Sequence, residues 1–292
     1  MSKKYTIKLD FQRDFINILK NKLKNLGYEI DDKEDPRNIC IRYFNLKRRL
    51  IKPIPRKILI SKEFNCPIKY NSALEIIKSK IKKGEDLKSY LSKGISNIDY
   101  NDSLLNDWGI HHLHLGMILG KGGFIKRTGA VLLVRFDKNY AYFIDVRRHD
   151  CWSDQELIHI IHRNWPESIK IFRLRGVISL QTILSDEQIG KLRKAGYNNL
   201  VQISEGIVYY SMGMGQTTNG TSLEVVRTCH KYFYLMRNLE KHIKDNIEYF
   251  ISEAKKQGIS MGNELNFELV INKSEAFAIE KHSKIIIKLG NI

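Results

Sequence analysis

Nine histidines occur in this chain of 292 residues, and His111, His112 and His114 fall together in the stretch "WGIHHLHLG". Imidazole exchanges a proton near neutral pH and offers a lone pair to a metal, so such a group has two chemical uses. Side chains alternate between the faces of a β-strand. In "GIHHLHLG" that parity puts His112 and His114 on one face, and His111 with Leu113 and Leu115 on the other. In "VLLVRFD" it separates Leu132, Val134 and Phe136 from Arg135 and Asp137. In "YAYFIDVRRH" it separates Tyr142, Ile144 and Val146 from Asp145, Arg147 and His149. An antiparallel meander of these strands would bring His112, His114, Arg135, Asp145, Arg147 and His149 to one side of the sheet.

Imidazoles can act as base and acid on a phosphodiester, and arginines can stabilise the charge of the transition state. The 2'-hydroxyl of RNA supplies an internal nucleophile, so this set needs no cofactor. With its compact antiparallel sheet and its basic, histidine-bearing face, the segment of about residues 108–165 resembles the RelE- and BrnT-type ribonuclease toxins. It differs from them in the long loop before Arg127 and in its large flanking segments. The resemblance implies a metal-independent endoribonuclease of toxin or phage-defence type, with His112, His114, Arg135, Arg147 and His149 as catalytic groups. The same residues also admit a divalent metal ion. The H-x-H pair with His149 or Asp145 gives three ligands and an open position. An HNH-like variant would join His111 and His112 to His159, His162 or Asn164 on the next helix. A third reading, from a different class, is a non-catalytic nucleic-acid-binding or antitoxin-like regulatory module.

The elements that must position these residues indicate an α+β fold in three segments. Residues 1–100 read as basic and mostly helical, with helices in "FQRDFINILKNKLKNLGY", "NSALEIIKSKIKKG" (capped by Asn71 or Ser72) and "DLKSYLSKG". Within it "NICIRYFNL" and "RKILIS" read as strands. Residues 101–185 hold the meander, with a hairpin turn at "DKNY", a mobile loop in "GMILGKGGFIKRTG" and a helix in "SDQELIHIIHRNW". Residues 186–292 form an α/β segment with one long helix, "SLEVVRTCHKYFYLMRNLEKHIKDNIEYFISEAKKQG", and closing strands "LNFELVIN" and "KIIIKLG". With no Pro- or Gly/Ser-rich connector, the three segments are expected to pack together.

The formal net charge is +17, and residues 1–100 contribute most of it, with 24 Lys and Arg against 12 Asp and Glu. Arg42, Lys47, Arg48, Arg49, Lys52, Arg56, Lys57 and Lys62 follow one another with no acid until Glu63, interleaved with Tyr43 and Phe44. A concentrated basic field attracts phosphodiesters, so residues Arg42 to Lys57 are the expected nucleic-acid surface, RNA before DNA. An acidic protein partner or antitoxin is the alternative. No apolar run is long enough to span a bilayer and no signal sequence is present, which places the chain in the cytoplasm and away from membranes. Cys40, Cys66, Cys151 and Cys229 are scattered, as reduced thiols are.

Two further patterns are assigned to structure. "GQTTNGTS", Gly215 to Ser222, has the spacing of a phosphate loop, but Thr221 stands where its lysine would be, and a tight turn before a helix is expected. "RNLEKH", Arg237 to His242, matches the R-x4-H pattern of HEPN ribonucleases, on a predicted helix but in a chain that returns to strands.

Overall fold

Helical spacing of apolar residues sets the first elements in the computed structural model, which describes residues 5–292. The strands are β1 (Thr6–Lys8), β2 (Lys57–Ile60), β3 (Ile110–His114), β4 (Ala130–Phe136), β5 (Tyr140–Arg148), β6 (Val201–Ser204), β7 (Ile207–Tyr209), β8 (Glu264–Asn272), β9 (Glu275–Glu280) and β10 (Ile286–Asn291). The helices are α1 (Phe11–Asn25), α2 (Pro36–Arg49), α3 (Asn71–Lys83), α4 (Ser103–Trp108), α5 (Glu156–Asn164), α6 (Pro166–Ile169), α7 (Asp186–Lys194), α8 (Leu223–Asp245) and α9 (Ile247–Lys256). The chain is an α+β protein with mixed sheets. Among the described residues no helix is long and apolar enough to cross a membrane.

The three expected segments give way to two compact units. One joins the chain up to Tyr43 to Arg227–Ile292, and the other is Phe44–Val226. In the first, β1 lies parallel to β8, and β9 and β10 follow in antiparallel order. Helix α1 buries Phe11, Phe15, Ile16, Leu19 and Leu23 along one stripe, and the Asp10 carboxylate accepts from the Arg13 amide to cap its start.

The second unit is built on a sheet of order β2-β5-β4-β3. Strands β3, β4 and β5 form the expected antiparallel meander, and β2 adds in parallel to β5. One face packs on α5, with Ile110, Val131, Leu133 and Ile144 against Leu157, Ile158, Ile160 and Ile161. The other face is also covered, since Leu113, Leu132, Val134 and Phe143 are fully buried. The expectation of one apolar and one ionisable face therefore fails for β4, which is a central strand with both faces inside the protein.

Other expectations fail locally. "NICIRYFNL" is helical, inside α2, because Ile39, Tyr43 and Leu46 recur at helical spacing behind Pro36 at the first position. Helix α3 starts at Asn71 with Tyr70 as its cap and no side-chain cap bond, while Gly84 ends it in the left-handed conformation as expected. "DLKSYLSKG" forms two short 3-10 turns, Lys88–Tyr90 and Lys93–Ser96. The long C-terminal helix is interrupted between α8 and α9, where the Asn246 side chain donates to the His242 carbonyl and competes with the backbone ladder. The loop after His114 is a small hairpin finger: Gly120 N donates to Phe124 O at 2.7 Å, Lys126 N to Ile118 O at 2.9 Å, and Ile125 N to Ser89 O at 2.8 Å.

Candidate active site

Strands β3 and β5 run in the same direction, so their C-terminal ends lie at one end of the sheet, with the start of β4 between them. His114 pairs with Val131, and Val131 with Arg147. There His112, His114 and His149, just beyond β5, come together, each offering a ring nitrogen within 4.8 Å of the others. The His114 and His149 rings stack with centroids 5.5 Å apart, and His112 lies 6.1 and 5.9 Å from them. Trp152 closes one side, its ring 4.7 Å from His112 and 5.0 Å from His149.

Trp152 is itself held from behind. Arg193 donates to its carbonyl and pairs with Asp107 through Nε at 2.8 Å, while the guanidinium lies over the Trp108 ring. Ser211 Oγ donates to the other Asp107 oxygen at 2.5 Å. Both members of this ion pair are buried, so breaking it leaves an uncompensated charge.

Nδ1 of His112, both ring nitrogens of His114 and Nε2 of His149 are buried and make no hydrogen bond among the described residues. Such groups cost about 1–3 kcal/mol each when unsatisfied, so their clustering calls for a partner. Burial is the main reason all three imidazoles are harder to protonate than a free histidine, with His114 pushed down to about 4. The other two imidazoles add to the burial at His114, and the guanidinium of Arg127 opposes protonation of all three. Asp102 works the other way on His112, with its Oδ2 3.8 Å from Nδ1.

The remaining residues of the expected constellation are engaged elsewhere. Leu133 pairs with Asp145 and Val134 with Phe143, so Ile144 is the extra residue of a bulge on β5 and parity reverses on the Tyr142 side of it. Tyr142 therefore shares the side of Arg135, whose guanidinium lies 5.6 Å from the Tyr142 ring centre. Asp145 is buried and accepts from the amides of Asn65 and Val146 and from Arg147 Nε at 2.5 Å. Arg147 also reaches Asp154 at 3.2 Å, so it braces the start of α5. His111 is on the opposite face, edge-on to Phe136, and burial pushes its pKa down to about 3. The HNH-like grouping does not assemble either. His162 contacts the Tyr209 hydroxyl at 2.9 Å, and Asn164 donates to Glu63 and to Ile160 O.

The basic run divides in two. Arg49 is buried and donates to the carbonyls of Gly94, Asn97 and Ile98. Arg48 donates to Leu105 O and Gly213 O and pairs with Glu224. Arg56 bonds the carbonyls of Lys52, Ile54 and Asp137, and Arg42 pairs with Glu34. These arginines brace the fold, which corrects the reading of Arg48 and Arg49 as a nucleic-acid surface. Lys47, Lys52 and Lys57 remain exposed. Lys57 pairs with Tyr140 at the far end of β5, about 25–30 Å from His149 at the usual strand rise. An open groove of about 760 Å³ lies there, lined by Arg56, Lys57, Lys82, Asn139 and Tyr140 among others.

Gly215 to Ser222 is a tight turn, as expected. Thr217 N donates to Thr221 O, Gly220 N to Thr217 O, and Asn198 holds both polar backbone groups of Gln216. Arg237 and His242 are exposed on α8, in the unit whose sheet is β1-β8-β9-β10. The residue that sequence reasoning missed is Arg127, the one arginine whose charge reaches all three clustered histidines.

Fold and site thus define an α+β protein with a three-histidine cluster at one end of its meander sheet. No protein-family model, curated protein or solved structure matches the chain.

Proposed function

We propose that this protein is a nuclease that cleaves RNA at His112, His114 and His149 without a metal ion. The observation that carries the reading is the convergence of buried, unpartnered imidazole nitrogens at one end of the sheet. In the reaction His112, with the Asp102 carboxylate 3.8 Å from its Nδ1, takes the proton of the 2'-hydroxyl. The 2'-oxygen bonds to phosphorus, the bond from phosphorus to the 5'-oxygen breaks, and a protonated His149 gives its proton to the leaving oxygen. The products are a 2',3'-cyclic phosphate and a 5'-hydroxyl, and solvent returns the proton balance. The bound phosphate's negative charge favours the protonated acid that the empty site disfavours.

Electrostatics favours this over the metal-centre reading. The guanidinium that opposes a proton on each ring opposes a dication in the same place more strongly, and the carboxylate within 4 Å of a ring nitrogen is that of Asp102 alone among the described residues. The mutual proximity of the three ligand atoms still favours a His112/His114/His149 metal site as a second reading. The groove at Lys57 and Tyr140, lined also by Arg56 and Lys82, supports a polynucleotide substrate. Four free cysteines fit a reducing cytoplasm, where an RNase of toxin or phage-defence type would act.

The test is RNA and DNA cleavage by wild type, His112→Ala and His149→Ala, with and without EDTA. The expected result is cleavage of RNA alone, unaffected by EDTA, with cyclic-phosphate ends and a loss of about 10²–10⁴-fold in each variant. Loss of activity in EDTA would establish the metal reading instead. Binding without turnover in every lane would leave a nucleic-acid-binding module.

A further inference from the structure

The nuclease reading lacks a group to hold the phosphate, because Arg135 and Arg147 are engaged elsewhere. We propose that Arg127 is that group: its guanidinium binds the non-bridging oxygens of the substrate phosphate beside His112, His114 and His149. This rests on the nuclease reading for the reaction, though the anion site can be tested without it.

The placement follows from hydrogen bonds at the base of the finger. Thr128 Oγ1 accepts from the Leu115 amide at 3.2 Å and donates to Ala130 O at 2.5 Å, so Thr128 is tied to the strand end that carries His114. His149 N donates to Gly129 O at 3.3 Å, tying the next residue to the other side of the cluster. Arg127 is therefore the residue next to the tie to the His114 strand and two before the tie to His149. The finger also lies tightly on the chain leaving His114. A Cβ on Gly116 would come 2.5 Å from Ile125 Cγ2 and 2.7 Å from Lys126 O.

The guanidinium is exposed and has no salt bridge or hydrogen bond among the described residues, unlike Arg48, Arg49, Arg56 and Arg147. Its charge acts on the three imidazoles and on Tyr100. An unpaired arginine beside unsatisfied imidazole nitrogens is complementary to an anion that accepts from the guanidinium and from ring N–H groups. Phosphate has the required oxygens, and the planar fork can meet two of them at once. The contact strengthens as charge gathers on those oxygens during attack, so it acts on turnover as well as binding.

The experiment uses the full chain as wild type, Arg127→Ala, Arg127→Lys and, as a neighbouring control, Lys126→Ala. Inorganic phosphate is titrated while the histidine ring signals are followed by NMR, and kcat and KM are measured on an RNA oligonucleotide. The expected result is that phosphate shifts the signals of His112, His114 and His149 in wild type and in Lys126→Ala. Arg127→Ala should bind phosphate at least about tenfold more weakly and lose about 10²-fold in kcat/KM, and lysine should restore only part of each. Phosphate that leaves the wild-type histidine signals unmoved, or that binds Arg127→Ala equally well, overturns the assignment. So does equal kcat/KM for Arg127→Ala and wild type. If wild type does not cleave RNA, the nuclease reading fails, and the phosphate titration alone decides the role of Arg127.

Discussion

Replacing Arg49 by methionine tests whether the basic run is a brace or a surface. Only 3% of the residue is exposed, and besides Asn45 O at 3.4 Å its guanidinium donates to three distant carbonyls at 3.0, 3.0 and 3.1 Å. Those carbonyls belong to Gly94, Asn97 and Ile98, the turn that leads into Tyr100 and Asp102. A buried carbonyl left without a donor costs about 1–3 kcal/mol. Methionine refills much of the stem's volume, and removing a buried cation returns part of its desolvation penalty. Rehydration of the turn lowers the total further, and a net loss of about 3 kcal/mol is expected. With a urea slope of about 2 kcal/mol per molar, the unfolding midpoint should fall by about 1.5 M. Trp108, Trp152 and Trp165 all lie within Phe44–Val226, so tryptophan fluorescence follows the unit in question. Exposed Lys47→Met is the control and should stay within about 0.5 kcal/mol of wild type. A midpoint change below about 0.3 M in Arg49→Met would refute the reasoning. Weaker RNA binding with unchanged stability would restore Arg49 to the surface.

Lys52→Ala and Lys57→Ala should each leave unfolding unchanged, weaken RNA binding, and reduce the slope of log affinity against log salt by about 0.7, read by filter binding across a salt series. Shortening the RNA to a dinucleotide should raise KM more than it lowers kcat, since the short substrate reaches the histidines but not the groove at Tyr140. In the other unit, burial would push Glu280 up, but donors from Asn266, His282 and Ser283 outweigh it and hold its carboxyl below the usual glutamate range. Its contribution to stability is therefore complete above the unfolded value and is lost as pH falls through the lower folded value. The thermal stability gap between wild type and Glu280→Gln should be wide at pH 6 and narrow at pH 3. A gap independent of pH would show that the charge is not what those donors hold.

Strand parity was enough to bring His112, His114 and His149 together, because alternation within β3 and along the end of β5 is a local property. It failed where a single inserted residue, Ile144, reversed the faces and took Tyr142 to the side of Arg135. Charge spacing was a poor guide to Arg48 and Arg49. Their partners are carbonyls tens of residues away, and nothing in composition distinguishes a cation that faces water from one that satisfies a turn. Strand β1 spans only Thr6–Lys8 and exists because β8 lies beside it, so no local pattern marks it. Arg127 was hidden in a glycine-rich connection read as a loop, where the bonds of Thr128 and Gly129 fix its place and no periodicity encodes them. A usable signal was the isolation of a Lys-Arg-Thr triplet just before a core strand.

One unit takes its strands from both ends of the chain, with β1 laid against β8, while Phe44–Val226 is a continuous stretch. During synthesis the histidine-bearing unit is therefore complete before β8 exists. At about 5–20 residues per second, the stretch from Arg227 to Ile292 takes roughly 3–13 s to make. On the proposed function, a site that cuts RNA is finished for that interval while still attached to the messenger and ribosome that are making it. On that reading, restraint of the nascent chain must come from whatever binds the histidine cluster itself, and timing of release from the ribosome cannot supply it.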